Sequence, residues 1–234
     1  MNLVLTMAGK YQRFRLFGNK VPKYLMPLGK STILWHVIYE LVRSAPGVQL
    51  YLLANKEDRD FFPILKSILS DFSIDHKNLA FIDDTKSQLE TAVAINKNFE
   101  GRFSNNPDPI VFGNIDTIVK SRRSFFDRMS NLEKNEGLID LFCGSSHEYS
   151  YVKTNDFGIV DIIADGSRVS ENACSGLYGF GSAKFFLDEA TEILRDAGSA
   201  NFTGLYANLI EKGCLNFVTS SSDMRDTVVL GTPE

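Results

Sequence analysis

Three short stretches of this 234-residue chain carry the residues best suited to chemistry. The first, LTMAGKYQRFRLFGNKVPKYLMPLGKSTI, gathers Lys10, Arg13, Arg15, Lys20 and Lys23 in a chain whose formal net charge is −4. Cations concentrated on one loop of an acidic protein suit an anion such as a triphosphate. Backbone N–H groups around Ala8 and Gly9 can approach phosphate oxygens, Arg13 can grip them with a bidentate fork, and Lys23 can act as a point charge. Charge pattern alone equally allows a solvated surface loop. The second stretch, VFGNIDTIV (111–119), sets Asp116 just past a buried apolar run. An α/β sheet places metal carboxylates there, and Mg2+ favours oxygen ligands while keeping several waters; a turn Asp followed by Thr is the plainer alternative. The third, TKSQLETA (85–92), is a polar helix start containing Gln88.

The elements that must position these residues follow from periodicity. NLVLTM (2–7) reads as a strand feeding a long loop. From a Ser31 or Thr32 cap, Ile33, Leu34, Val37, Ile38, Leu41 and Val42 recur at helical spacing until Pro46-Gly47. Strands at 48–54, 79–82 and 109–113 alternate with helices over 57–71 and 87–98, with Pro63 in or near the first turn of the former. Such alternation implies a mainly parallel sheet with helices on both faces and ligands at the carboxyl ends of the strands, where Gly9, Thr85 and Asp116 fall. The second half changes character. Segments 138–144, 150–154 and 157–163, with Asn155-Asp156 between the last two, predict an antiparallel excursion over the site. SGLYGF, helices near 183–196 and 203–212, and the strands CLNFVTS and TVVLG complete the chain. No repeat or linker divides it, so one domain over 1–234 is expected.

Composition excludes several classes. Hydrophobic residues make up 44% and charged residues 23%, ordinary globular usage. No block of Lys or Arg provides the footprint of a nucleic-acid binder. MNLVLTMAG lacks a basic n-region, and no apolar run approaches a membrane span, so a cytoplasmic protein without a membrane partner is expected. Cys143, Cys174 and Cys214 are too scattered for disulfides or zinc and predict reduced core thiols; His36 reads as a satisfied helix residue.

The first stretch resembles the N-terminal signature of the sugar-phosphate nucleotidyltransferase family, the nucleoside-diphosphate-sugar pyrophosphorylases. Met7-Ala8-Gly9, Arg13-Phe14, Pro22-Lys23, Leu25 and Pro27-Leu28 match it at the right spacing. The resemblance implies a Rossmann-like three-layer α/β/α fold with a mixed, mainly parallel central sheet and a small antiparallel excursion. It assigns the nucleotide phosphates to Ala8, Gly9, Lys10 and Arg13, and charge neutralisation during transfer to Lys23. Residues 85–92 are similar to the family's base-contacting T-x-G-(Q or T)-A-x-T, which makes Gln88 the base reader. Asn114-Ile115-Asp116-Thr117 is similar to N-G-D-T, which makes Asp116 the Mg2+ ligand. Gly176 falls in a segment similar to A-x-x-G-(I or L)-Y-x-F, on the acceptor side, and residues 228–234 resemble the closing D-x-G-T-P-E.

The departures are specific. Tyr11 and Gln12 stand where Gly and Ser or Thr are usual, Ser87 and Ile115 replace glycines, and Val229 takes the position of the second metal carboxylate. Asp226 or Asp223 would have to supply that carboxylate. No Glu-Lys pair precedes the G-L-Y-x-F strand, which leaves Lys153 as the candidate phosphate contact for the acceptor. The implied reaction is in-line attack by a substrate phosphate on the α-phosphorus of a nucleoside triphosphate, with release of pyrophosphate and no protein nucleophile. The implied partners are that triphosphate and a phosphorylated small-molecule acceptor, a sugar phosphate or similar, for surface-polysaccharide (capsule) precursors; an oligomer is left open. A non-catalytic nucleotide-binding homologue is the rival, and a glycosyltransferase of related fold, using Asn114-Ile115-Asp116 as a metal triad, is the third reading.

Overall fold

The computed structural model describes residues 1–9, 21–156, 159–198, 200–221 and 224–231. In chain order the strands are β1 (Asn2–Met7), β2 (Pro27–Leu28), β3 (Ser31–Thr32), β4 (Gln49–Asn55), β5 (Leu79–Ile82), β6 (Ile110–Gly113), β7 (Thr117–Val119), β8 (Gly137–Cys143), β9 (Ser150–Thr154), β10 (Val160–Asp165), β11 (Asn172–Phe180), β12 (Leu215–Ser221) and β13 (Thr227–Val229). The α-helices are α1 (Ile33–Ser44), α2 (Phe62–Asp71), α3 (Gln88–Asn98), α4 (Arg123–Met129), α5 (Ala183–Ala197) and α6 (Phe202–Glu211).

The main sheet is mixed. β5, β4, β1 and β6 run parallel in that order, and β11 joins β6 antiparallel. β8 pairs antiparallel with β11 and parallel with β12. Strand alternation explains the three layers, because successive side chains leave opposite faces. Val4, Tyr51, Leu53, Ile110 and Phe112 share one apolar core with α3, α5 and α6. Their neighbours Leu3, Leu5, Leu50, Leu52 and Val111 share the other with α1, α2 and α4. This is the fold class expected from the sequence, with one refinement. β8 belongs to the main sheet, and the excursion is the β9–β10 hairpin, joined to β11 where Tyr151 meets Ala173.

The expected elements sit within a few residues of their predicted bounds. Thr32 caps α1 by accepting from Trp35 N at 3.3 Å, and Ser87 caps α3 by accepting from Glu90 N at 3.2 Å. The span 57–71 divides into a 3-10 turn, Lys56–Phe61, and α2, because Pro63 suits only a helix's first turn. Short elements were not foreseen: the 3-10 turn Lys23–Leu25, the β2–β3 hairpin, β7 and α4. Each is too short to establish a period.

Candidate functional site

The carboxyl ends of β1, β4, β5 and β6 converge on a cleft. Thr6, Ala8, Gly9, Lys23, Thr85, Lys86, Ser87, Gln88, Thr91, Asn114, Ile115 and Asp116 line a compartment of about 430 Å3. A second compartment of about 660 Å3 is lined by Asn114, Asp116, Thr117, Ser146, Glu148, Tyr149, Ser150, Cys174, Gly176, Tyr178, Val229 and Gly231. Both have the size of small-molecule sites. Asn114 and Asp116 line both, so the compartments meet at these two residues.

The first compartment is braced by side chains the sequence did not single out. Asn55, at the end of β4, donates from Nδ2 to Ala8 O at 3.1 Å and to Asp84 Oδ1 at 2.9 Å, tying the loop after β1 to the loop before α3. Gln88 Nε2 donates to Thr6 Oγ1 at 3.1 Å, and Thr6 Oγ1 donates to Gly113 O at 3.3 Å. Thr85 and Thr91 share a hydroxyl contact of 2.5 Å. Thr85, Lys86, Ser87 and Gln88 surround the amino end of α3, whose partial positive charge faces the compartment they line.

Lys23 enters the cleft from a turn anchored in the core. The 3-10 turn closes with Met26 N donating to Lys23 O at 3.0 Å, and Tyr24 and Leu25 anchor it in the core. Tyr24 adds a hydroxyl bond to Asp58 Oδ2 at 2.9 Å. Lys23 itself is only 3% exposed, and its Nζ lies 3.0 Å from Asp116 Oδ2. The Asp116 side chain stays 30% exposed, so the carboxylate faces cation and cleft together. Leu230 N donates to Asp116 O at 2.7 Å, and a Cβ on Gly231 would stand 3.8 Å from Asp116 Oδ2. The closing segment after β13 therefore walls the site.

On the second side Asn114 N donates to Gly176 O at 2.9 Å. Gly176 has φ +77°, and a Cβ there would fall 2.0 Å from Asn114 Nδ2, so only glycine permits this approach. The buried Oδ1 of Asn114 has no hydrogen-bond partner among the described residues, which leaves it an acceptor for a donor arriving in the cleft. Burial pushes the Cys174 thiol up, with Asp165 and Asp140 adding to the effect, so it stays protonated near neutral pH and is a poor nucleophile. Burial likewise holds the Tyr178 phenol well above its ordinary value.

Of the residues expected from sequence, Ala8, Gly9, Lys23, Gln88 and Asp116 line the first compartment, and Gly176 lines the second. Lys10 and Arg13, with Tyr11 and Gln12, lie outside the described residues, as does Asp223. Two candidates stand elsewhere. Lys153 is exposed, opposite Ile162 at the far part of β9, about 10 Å along the strand from Ser150, which does line the second compartment. Asp226 pairs with Lys120 at 3.1 Å and lines a separate hollow with Arg43 and Arg123. The β7–β13 register sets Lys120 four residues from Asp116, on the order of 10 Å, so the two carboxylates do not share a site. Val229 pairs with Thr117 and occupies that place beside Asp116. Among the described residues no cluster of three or more His, Cys, Asp or Glu is arranged to hold a metal ion. The three cysteines are free and half-buried, with Cys174 and Cys214 packed against the core, while His36 Nε2 meets Leu28 O at 2.9 Å, as a satisfied helix residue should.

No family model matches the sequence, and no curated protein matches it. Solved structures do match its fold. A nucleoside-diphosphate-sugar pyrophosphorylase from Vibrio cholerae RC9 superposes with TM-score 0.83 at 20% identity, covering 99% of this chain and 96% of that one. A structure described as a glucose-1-phosphate thymidylyltransferase from Bacillus anthracis, solved with sucrose, superposes with TM-score 0.78 at 17% identity, covering 99% and 90%. At such identities the likeness is one of fold.

Proposed function

We propose that this fold, shared over nearly its whole length with sugar nucleotidyltransferases, serves the same general reaction here: transfer of a nucleoside monophosphate from a triphosphate to a phosphorylated acceptor, a sugar phosphate or similar, with release of pyrophosphate. The observation that carries the reading is the buried Lys23 ammonium 3.0 Å from Asp116, at the junction of two compartments large enough for two substrates. The first compartment takes the triphosphate. Ala8 and Gly9 present backbone to its phosphates, with Lys10 and Arg13 following in the sequence, and Gln88 stands at the base side. The second takes the acceptor, bounded by Gly176 and by the unpartnered Asn114 Oδ1.

In this reading an acceptor phosphate oxygen attacks the α-phosphorus in line. The new P–O bond forms as the bond to the bridging β-phosphate oxygen breaks, and pyrophosphate carries away the electron pair. Lys23 neutralises charge that builds on the transferring and leaving groups in a site where burial strengthens its field. Asp116 suits Mg2+, because this ion is commonly held by one or two carboxylates plus substrate phosphates, and Asp116 keeps part of its carboxylate open to the cleft. When bound, Mg2+ would neutralise and orient the phosphates. The position of Val229 leaves that task to one carboxylate among the described residues.

One continuous nine-stranded sheet supports a single working unit over 1–234. No helix among the described residues is long and apolar enough to cross a membrane. A cytoplasmic role in supplying precursors for surface polysaccharide belongs to the same proposal; it rests on the resemblance of the motifs. That the described residues place no second carboxylate beside Asp116 favours one other reading, a nucleotide-binding homologue without turnover.

Calorimetric titration of CTP, UTP, GTP, ATP and dTTP, with and without Mg2+, tests the proposal. One triphosphate should bind in a Mg2+-dependent manner, and Asp116→Ala should lose that dependence. Absence of binding by all five would end the reading. Binding without pyrophosphate release across a panel of sugar phosphates and other phosphate monoesters would select the non-catalytic homologue.

A further inference from the structure

We infer that Arg122 is a positioning residue for this site, fixing the Asp116 segment against the Gly176 bend from within the core; the inference rests on the reading above. Arg122 is 4% exposed and Asp140 0%. Arg122 Nη1 donates to Asp140 Oδ2 at 3.2 Å and to Ser175 Oγ at 3.0 Å. Its Nη2 donates to Thr117 O at 3.2 Å and to Ser175 O at 3.3 Å. Thr117 follows Asp116, and Ser175 precedes Gly176. The guanidinium thus clamps the two backbones that carry the cleft residues while lining neither compartment.

The sheet is interrupted where the clamp acts. The β11–β8 ladder shifts register between Cys174 and Tyr178, and pairing of β11 with β6 begins only at Leu177. Ser175 is therefore released from both ladders and its carbonyl turns to Arg122, while Gly176 leaves the β8 ladder and keeps the bond its carbonyl accepts from Asn114 N. Such breaks re-aim residues beside active sites. A buried ion pair is a poor source of net stability, since well-packed apolar residues often serve as well. A planar fork of donors reaching two carbonyls at once is something only arginine supplies. Asp140 and the Ser175 hydroxyl, which donates to Asp140 Oδ2 at 2.5 Å, hold that fork in orientation.

Arg122→Lys keeps a cation beside Asp140 and removes the fork; Ser175→Ala keeps the ion pair and loosens it. Amide exchange by NMR reads Asn114 N–H, which donates to Gly176 O, and Leu230 N–H, which donates to Asp116 O, against Leu52 N–H in central β4. In Arg122→Lys the first two should exchange about tenfold faster relative to Leu52, and in Ser175→Ala about threefold faster. The gain in triphosphate affinity on adding Mg2+ should shrink in the same order. A purely structural role moves all three amides together. Wild-type ratios in Ser175→Ala and in any folded Arg122→Lys sample would overturn the inference. If wild type binds none of the five triphosphates, the nucleotidyltransferase reading fails, and the amide ratios still decide whether Arg122 clamps the two segments.

Discussion

At the scale of single residues the site is governed by close approach. Lys23 reaches Asp116 because a 3-10 turn with two buried neighbours sets its Cα, and Asn114 reaches its place because Gly176 has no Cβ. Gly176→Ala should therefore cost roughly 1–3 kcal/mol through overlap alone, with the positive φ adding to it. Denaturant titration would show the loss. Mg2+-dependent triphosphate binding should weaken as well, because Asn114 must swing out of the junction; undisturbed binding in a destabilised variant would separate Asn114 from the site. Ala8, Gly9, Lys23, Gln88 and Asp116, which line the cleft, were legible in sequence because they belong to short motifs of fixed residue types at fixed spacing. Asn55, Arg122, Asp140 and Ser175 were not, because the bonds from Asn55 to Ala8 and Asp84 and from Arg122 to Asp140 and Ser175 span 18 to 53 residues and no local pattern marks them.

At the scale of elements, the first compartment depends on loops between regular pieces rather than on the pieces themselves. Asn55 joins the loop after β1 to the loop before α3 by two hydrogen bonds from one amide. Asn55→Ala should cost about 1–3 kcal/mol, since it removes the donor to the buried Ala8 carbonyl, and should weaken triphosphate binding with or without Mg2+. Thr32→Ala is the control: loss of the α1 cap should cost about 1 kcal/mol and leave binding unchanged. Equal effects of the two variants on binding would argue that stability, rather than loop placement, is being measured. The long amphipathic helices were predictable because each repeats its period several times. α4, with seven residues, repeats it less than twice, and its place is set by Phe125, Phe126 and Met129 entering the core beneath β11 and β12.

At the scale of the whole molecule, two apolar cores flank one sheet, and the acids buried among them set an alkaline limit. Burial raises the Cys174 thiol above its ordinary value near 9 and the phenols of Tyr178 and Tyr206 well above 10. Above those ordinary values the unfolded chain releases protons that the folded chain keeps. Their contribution to stability is complete below about pH 9 and falls as pH rises. Tm should thus be flat toward neutrality and decline from about pH 9, more steeply past 10, and Cys174→Ala should remove the earlier part of the decline; an unchanged onset would place the cause elsewhere. The sequence by itself determined the alternation of elements, the two-faced strands and the types of residue at the cleft, because periodicity and backbone chemistry are local. Only the tertiary structure decided that Asp226 stands away from Asp116, that Lys153 misses the second compartment, that β8 joins the main sheet, and that a buried arginine ties Thr117 to Ser175. Strand register and the pairing of distant backbones settle such matters, and a register is fixed by packing across the whole sheet rather than by any one segment of it.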